Sequence, residues 1–100
     1  MTLIYITCKD EKEAVKISNH LLNKRLIACS NIHQIRSLYR WHEKIQDEKE
    51  FVIIAKTKEK NYGKIKEEVK KLHSYDAPCI LKINAEANES YEKWVNEEVK

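Results

Sequence analysis

The 100-residue sequence predicts an α+β fold, and three observations carry that expectation. Runs rich in Ile, Val, Tyr and Phe alternate with segments whose apolar residues recur every three or four positions. Two of the runs, Leu26 to Trp41 and Lys49 to Thr57, flank a short charged segment, which is the pattern of an antiparallel hairpin with a loop of several residues. Gly63 and Pro78 are the only Gly and Pro, so no flexible linker divides the chain and residues 1–100 read as one domain.

The elements follow in order. Leu3 to Cys8 is a first strand. Asp10 followed three residues later by Glu13 has capping-box spacing, and Ala14, Ile17 and Leu21 then recur at helical spacing, so a helix runs to about Arg25. His20 on that helix reads as a partly exposed histidine without a second ligand at helical spacing. Ala28 to Trp41 is a strand of about fourteen residues, which at ~3.3 Å each spans roughly 46 Å. A compact chain of this size has a radius of gyration of ~13 Å and a diameter near ~34 Å, so the hairpin must bend or overhang. An overhang carrying Ile35, Leu38, Tyr39 and Trp41 exposes apolar side chains and edge amides, which other subunits would cover.

Thr57 is a candidate cap for a second helix with the stripe Tyr62, Ile65, Val69 and Leu72, on which Glu67 and Lys71 form an i,i+4 pair. Gly63 within it hints at close packing. Cys79 to Asn84 alternates as a short strand, and Asn88 caps a last helix whose apolar positions, Tyr91, Trp94, Val95 and Val99, read as core. This order is the split βαβ plan of ferredoxin-like domains with an added C-terminal helix. The plan makes strands one and three central, puts both main helices on one face, and brings Cys79 and the loop from His73 to Asp76 near Cys8, with Cys29 at the opposite end.

Composition excludes several functions. With so little glycine there is no phosphate loop, dinucleotide fingerprint or nucleophile elbow. The net charge of +3 comes from 19 basic and 16 acidic residues that are interleaved, a solvated-surface pattern and not a nucleic-acid patch. Lys49-Glu-Phe-Val-Ile-Ile also lacks the Gly and paired aromatics of an RNA-binding sheet. No signal peptide or membrane span is visible, and three widely spaced cysteines argue against a disulfide framework, so a cytoplasmic protein is expected. No catalytic pairing emerges, and an enzyme is not expected.

Leu26-Ile-Ala-Cys-Ser-Asn, Ser37-Leu-Tyr-Arg-Trp, Lys44-Ile, Glu48-x-Glu50, Lys56-Thr57, His73-x-Tyr75-x-x-Pro78 and Tyr91-x-x-Trp94 together resemble the CutA divalent-cation tolerance proteins. The resemblance spans nearly the whole chain. It implies a ferredoxin-like subunit in a homotrimer related in architecture to PII signalling proteins, a cytoplasmic setting, and tolerance to copper and other divalent metals, with no required cofactor and no established reaction. The hairpin tip, Trp41-His-Glu-Lys44, departs from the family's usual Trp-Glu-Gly-Lys, and Ser74 replaces a common Pro. Copper ligation in some members falls on positions that are Ile6, Leu72 and His73 here, so only His73 carries over.

The residues themselves offer a replacement. Cys8 lies two residues after Ile6, on the same strand face, and with His73 and Cys79 it would give a soft ligand set suited to Cu(I) or zinc. The alternative is that both cysteines are small buried residues and His73 hydrogen-bonds to carbonyls. His33 and His42 read as hydrogen-bonded or exposed. Glu48, Glu50 and Lys56 share one strand face and read as interface ion pairs or as a cleft that binds a charged ligand, while Tyr39 and Trp41 read as interface anchors. The functional expectation is a trimeric metal-response protein, and its alternative is a PII-like trimer that binds a small ligand or a partner protein in clefts between subunits.

Overall fold

A computed structural model describes all residues 1–100. The chain runs β1 (Thr2–Cys8), α1 (Glu11–Asn23), β2 (Cys29–Trp41), β3 (Lys44–Thr57), a 3-10 turn (Glu59–Asn61), α2 (Tyr62–Leu72), β4 (Ile80–Asn84) and α3 (Glu89–Glu98). The strands form one antiparallel sheet in the order β2-β3-β1-β4, as the split βαβ plan requires. Alternation along β1 buries Thr2, Ile4, Ile6 and Cys8, which lie opposite Thr57, Ala55, Ile53 and Phe51 of β3. On this face the sheet meets Ala14, Ile17 and Leu21 of α1 and Ile65 and Val69 of α2, one contiguous core.

The first helix starts as its sequence predicts. Asp10 accepts from the Glu13 amide at 2.8 Å, and Glu13 reaches back to the Lys9 amide at 3.0 Å, one residue beyond the usual capping-box partner. It ends with Arg25 in the left-handed region, φ 57°, while the Leu26 and Arg25 amides donate to Leu21 and Leu22 carbonyls, a Schellman closure without glycine. Arg25 is held there by the C-terminus: its guanidinium donates to the Glu98 carbonyl, and its own carbonyl accepts from the Lys100 amide.

The hairpin differs from expectation at its tip. The charged segment is strand and not loop: β2 and β3 stay paired to Trp41 and Lys44, joined by His42 and Glu43 alone. Both have positive φ, 50° and 65°, the type I′ signature that favours Asn-Gly. Because β1 pairs β3 only from Phe51 to Thr57, the seven pairs from Ile35↔Glu50 to Trp41↔Lys44 form a two-stranded ribbon beyond the sheet. The subunit is accordingly elongated, 45 × 26 × 21 Å.

Four further expectations are corrected. Thr57 does not cap α2; it ends β3 fully buried, with its hydroxyl donating to the Leu26 carbonyl at 2.6 Å. Gly63 is not closely packed, since an added Cβ would meet nothing within 4 Å. Lys71 pairs with Glu68, not Glu67. Glu68, 3% exposed, joins the two helices by accepting His20 Nε2 at 2.8 Å and Lys71 at 3.0 Å, with Lys24 and Lys64 also within 4 Å. Val95 of α3 and Val99 just after it are buried while Trp94 is 40% exposed, because Trp94 lies at the margin of the stripe that positions 91, 95 and 99 define.

Two stability measurements follow from these contacts. At fixed protein concentration, Gly63→Ala should stabilise by about 0.5–1 kcal/mol, and His42→Asn with Glu43→Gly should stabilise further by relieving two left-handed non-glycine residues; urea unfolding reads both. The hydrogen bonds from His20 and Lys71 hold the Glu68 carboxyl down at about 2, against an ordinary 4.5. A lowered folded-state value means that its stabilisation is complete above about pH 4.5 and disappears as the pH falls toward 2. Thermal unfolding of Glu68→Gln should therefore show a flatter dependence on pH across that window than the parent.

Candidate functional site

Two arrangements of polar side chains meet at one end of the sheet, where the loop from His73 to Cys79 wraps from the helix face to the open face. The first is buried. Ligand atoms of Cys8, Glu13 and His73 lie within 4.8 Å of one another, with the His73 side chain wholly enclosed and that of Glu13 7% exposed. Cys8 and His73 are thus brought together as the sequence suggests. Cys79 is not among them. Register explains its place: Ile6 pairs with Ile80, so Cys79 falls opposite Thr7 on the open face, where it lines a cleft with Thr7 and Tyr5. Glu13 takes the third position, and its signal in the sequence is a carboxylate on the same helical stripe as Ile17 and Leu21.

The donor types suit a transition metal, but the His73 ring is already engaged at both nitrogens. His73 Nε2 lies 2.7 Å from the Thr7 carbonyl oxygen, and Nδ1 accepts the Tyr75 amide at 3.1 Å. A carbonyl can only accept and an amide can only donate, so the ring is fixed as the Nε2–H tautomer. Ligation through Nε2 would move that proton to Nδ1, against the Tyr75 N–H. Glu13 accepts the Lys9 amide on one oxygen and the Ser74 amide on the other, each at 3.0 Å. Burial opposes its charge, yet the bonds from Lys9 and Ser74 hold its carboxyl below the usual range. Burial, and then the nearby charges of Glu13 and Glu50, push the Cys8 thiol up to about 12. The cluster ties strand, helix and loop together, and a ligand role for His73 would cost it one of its two hydrogen bonds.

The second arrangement is an open cleft of about 860 Å³ beneath the ribbon. Glu48 and Glu50, on one face of β3, both reach it, together with Tyr39, Trp41, Tyr75 and Cys79. Tyr75 donates to Glu50 at 2.6 Å, and Tyr39 donates to Glu48 at 3.0 Å. Burial and then the Glu50 bond raise the Tyr75 phenol above its ordinary value, and burial and the Glu50 charge do the same for Cys79. Lys56 shares the strand face but sits at the far end, its ammonium 3.8 Å from the Cys29 sulfur. His33 is exposed, and His42 packs at the edge of the Trp41 ring, 5.0 Å between centroids. Neither joins a cluster. Tyr75, which links the buried knot to the cleft, has no sequence signal beyond its place after His73.

The knot yields a measurable outcome. Glu13→Gln turns one acceptor into a donor that faces an amide N–H, and should cost about 1–3 kcal/mol of stability, read by denaturant unfolding. With zinc added to reduced protein, the nitrogen NMR signals of His73 should stay those of the Nε2–H tautomer.

Comparison with known proteins agrees with this architecture. Residues 2–98 match the family described as CutA1 divalent ion tolerance protein. The divalent-cation tolerance protein CutA of Pyrococcus horikoshii is 43% identical, with 100% of this chain and 99% of that protein aligned. The CutA of Thermotoga maritima is 41% identical over 99% of each chain. The crystal structure of CutA1 from Pyrococcus horikoshii superposes with a TM-score of 0.95 at 42% identity, covering 100% of this chain and 99% of that one. A PII-like CutA from Nostoc sp. shares the fold at a TM-score of 0.92, with 20% identity and coverage of 100% of this chain and 98% of that one. On sequence over nearly its full length and on fold, this chain belongs to the CutA1 divalent ion tolerance family.

Proposed function

We propose that this chain works as a homotrimer in the response to divalent cations, as a binding protein and not as an enzyme. The observation that carries assembly is the uncovered apolar surface. The ribbon leaves Trp41 51% and Ile45 64% exposed, and Leu81 and Ile83 stand open on β4, on the sheet face that α1 and α2 do not cover. Exposed apolar side chains on both sides of an overhanging ribbon, next to open sheet edges, favour burial against further copies. Three copies is the number that the family resemblance implies. Tyr39, Trp41, Glu48 and Glu50 are the proposed contacts at the ribbon, with Lys56 at the other end of β3.

The metal role is supported by the relatives from Pyrococcus horikoshii and Thermotoga maritima, which are divalent-cation tolerance proteins. Because both His73 nitrogens are held by backbone partners, the proposed response operates without an ion resident at Cys8 and His73, and Cys79 lies on the wrong face to complete that set. The second reading, a PII-like trimer that takes a small ligand or partner protein, is favoured by the cleft between ribbon and loop. No helix is long and apolar enough to cross a membrane. Three free cysteines support a reducing, cytoplasmic setting, although the Archaeoglobus fulgidus relative is described as periplasmic.

Native mass spectrometry of the reduced protein with Cu(I), Cu(II) and Zn(II) tests these assignments. The expected species has about three times the 11.9 kDa of one chain and gains no stoichiometric metal. Stoichiometric metal that disappears in Cys8→Ala would transfer the function to the Cys8 and His73 site, and a monomer at micromolar concentration would refute assembly. Trp41→Ala should weaken assembly by about 2 kcal/mol or more, as expected when a central aromatic anchor is truncated, measured as the concentration dependence of dissociation.

A further inference from the structure

We propose that the groove between α1 and α2, where Lys24, Lys64 and Lys71 converge, binds a small multivalent anion of the phosphate class. The inference goes beyond the reading above and uses none of the surfaces on which assembly depends. The proposed subunit contacts lie on the ribbon and on the open face of the sheet. The groove runs over the central strands β1 and β3 on the other face, between the two helices and away from the edge strands β2 and β4. It therefore stays in solvent when the open face is covered.

Convergence is the first reason. Glu68 of α2 is 3% exposed, and its two oxygens draw cations from both helices. His20 Nε2 at 2.8 Å and Lys24 Nζ at 3.5 Å approach Oε1, and Lys71 Nζ at 3.0 Å and Lys64 Nζ at 3.7 Å approach Oε2. One carboxylate thus gathers three ammonium groups whose mutual repulsion would otherwise spread them apart. Glu67 offsets part of their charge, 3.6 Å from Lys64, and no further acid pairs with any of the three.

Unspent donors are the second reason. An ammonium has three N–H groups and no acceptor. The side-chain hydrogen bonds to Glu68 come from His20 and Lys71, so Lys24 and Lys64, at ion-pair distance, keep donors for another acceptor. The side chains of Lys24, Lys64 and Lys71 are 46%, 51% and 62% exposed. Their donors open to solvent at the mouth of the groove, while the acid that holds them lies beneath.

The surrounding charge is the third reason. Basic and acidic residues interleave along the sequence, yet folding sorts them into layers. Residues 9–25 and 58–73, which carry the two helices, hold 11 lysines and arginines against 6 acids, a net +5; the rest of the chain holds 8 against 10, a net −2, and the two give the +3 of the whole. An anion that approaches the helix layer therefore meets a positive field. A phosphate group presents acceptor oxygens on several sides to point-like ammonium donors arriving from two helices. A single carboxylate brings one charge and competes with Glu68 for the same lysines.

The test uses the full chain in metal-free buffer at one ionic strength, with inorganic pyrophosphate and orthophosphate as probes and acetate as the monovalent counterpart. Titration calorimetry measures affinity, and NMR of lysines labelled at Cε locates the site. The expected result is saturable binding of pyrophosphate, weaker binding of orthophosphate and none of acetate, with signals of Lys24, Lys64 and Lys71 shifting. Lys24→Gln with Lys64→Gln, which leaves both hydrogen bonds to Glu68 in place, should weaken pyrophosphate about tenfold or more. Lys12→Gln with Lys93→Gln removes the same charge from exposed lysines that belong to none of the chain's ion pairs. Lys12 lies twelve residues before Lys24, about 18 Å along a helix and beyond a Debye length of ~10 Å, so this variant should stay within about twofold of the parent. Absence of saturable pyrophosphate binding overturns the inference. So does an equal loss in the two double variants, which marks diffuse attraction to a basic face, and so does unchanged binding in Lys24→Gln with Lys64→Gln, which places the anion elsewhere.

Discussion

Much of this structure depends on one imidazole having a use for each of its two nitrogens. His73 closes α2, and its ring spans from the end of the central strand β1 to the amide of Tyr75. Since one contact demands a donor and the other an acceptor, tautomer, ring orientation and loop path are fixed together. Ser74 is then placed to donate to Glu13, and Tyr75 can emerge on the opposite face of the sheet to hold Glu50. The helix face and the open face, otherwise separated by the sheet, are joined through a few side chains.

The two best-buried glutamates of the chain show how placement decides what a carboxylate does. Glu68 and Glu50 are both almost enclosed. Glu68 sits between helices rich in flexible lysines and is neutralised several times over. Glu50 sits on β3 opposite Ile35, and it receives one phenol. Within one subunit the helix layer gives its buried acid a surplus of cations, and the sheet's open face gives its own a neutral donor.

What the sequence made legible followed from periodicity. Alternation in β1 placed Cys8 on the Ile6 face, the Asp10 and Glu13 spacing located the start of α1, and the length of β2 implied an overhang. Other features depend on relations that periodicity does not encode. The face of Cys79 is set by which residue of β1 opposes Ile80, a register visible only once the strands pair. Glu68 and Glu67 are adjacent, and only the phase of α2 against α1 decides which of them His20 meets. Thr57 resembles a helix cap in isolation, but a carbonyl thirty-one positions away takes its hydroxyl. In the candidate site, Glu48 and Glu50 were visible as a pair on one strand face, whereas Glu13 as the partner of Cys8 and His73 required the fold.

The tight turn at the ribbon tip bears on how the chain folds. His42 and Glu43 both adopt left-handed backbone, which for such residues costs roughly 1–2 kcal/mol each, so the turn is a poor nucleus for the hairpin it closes. Strand pairing is better begun where β3 has β1 on its other side, between Phe51 and Thr57, and carried outward. In the isolated subunit the tip is then the last part to form and the first to fray.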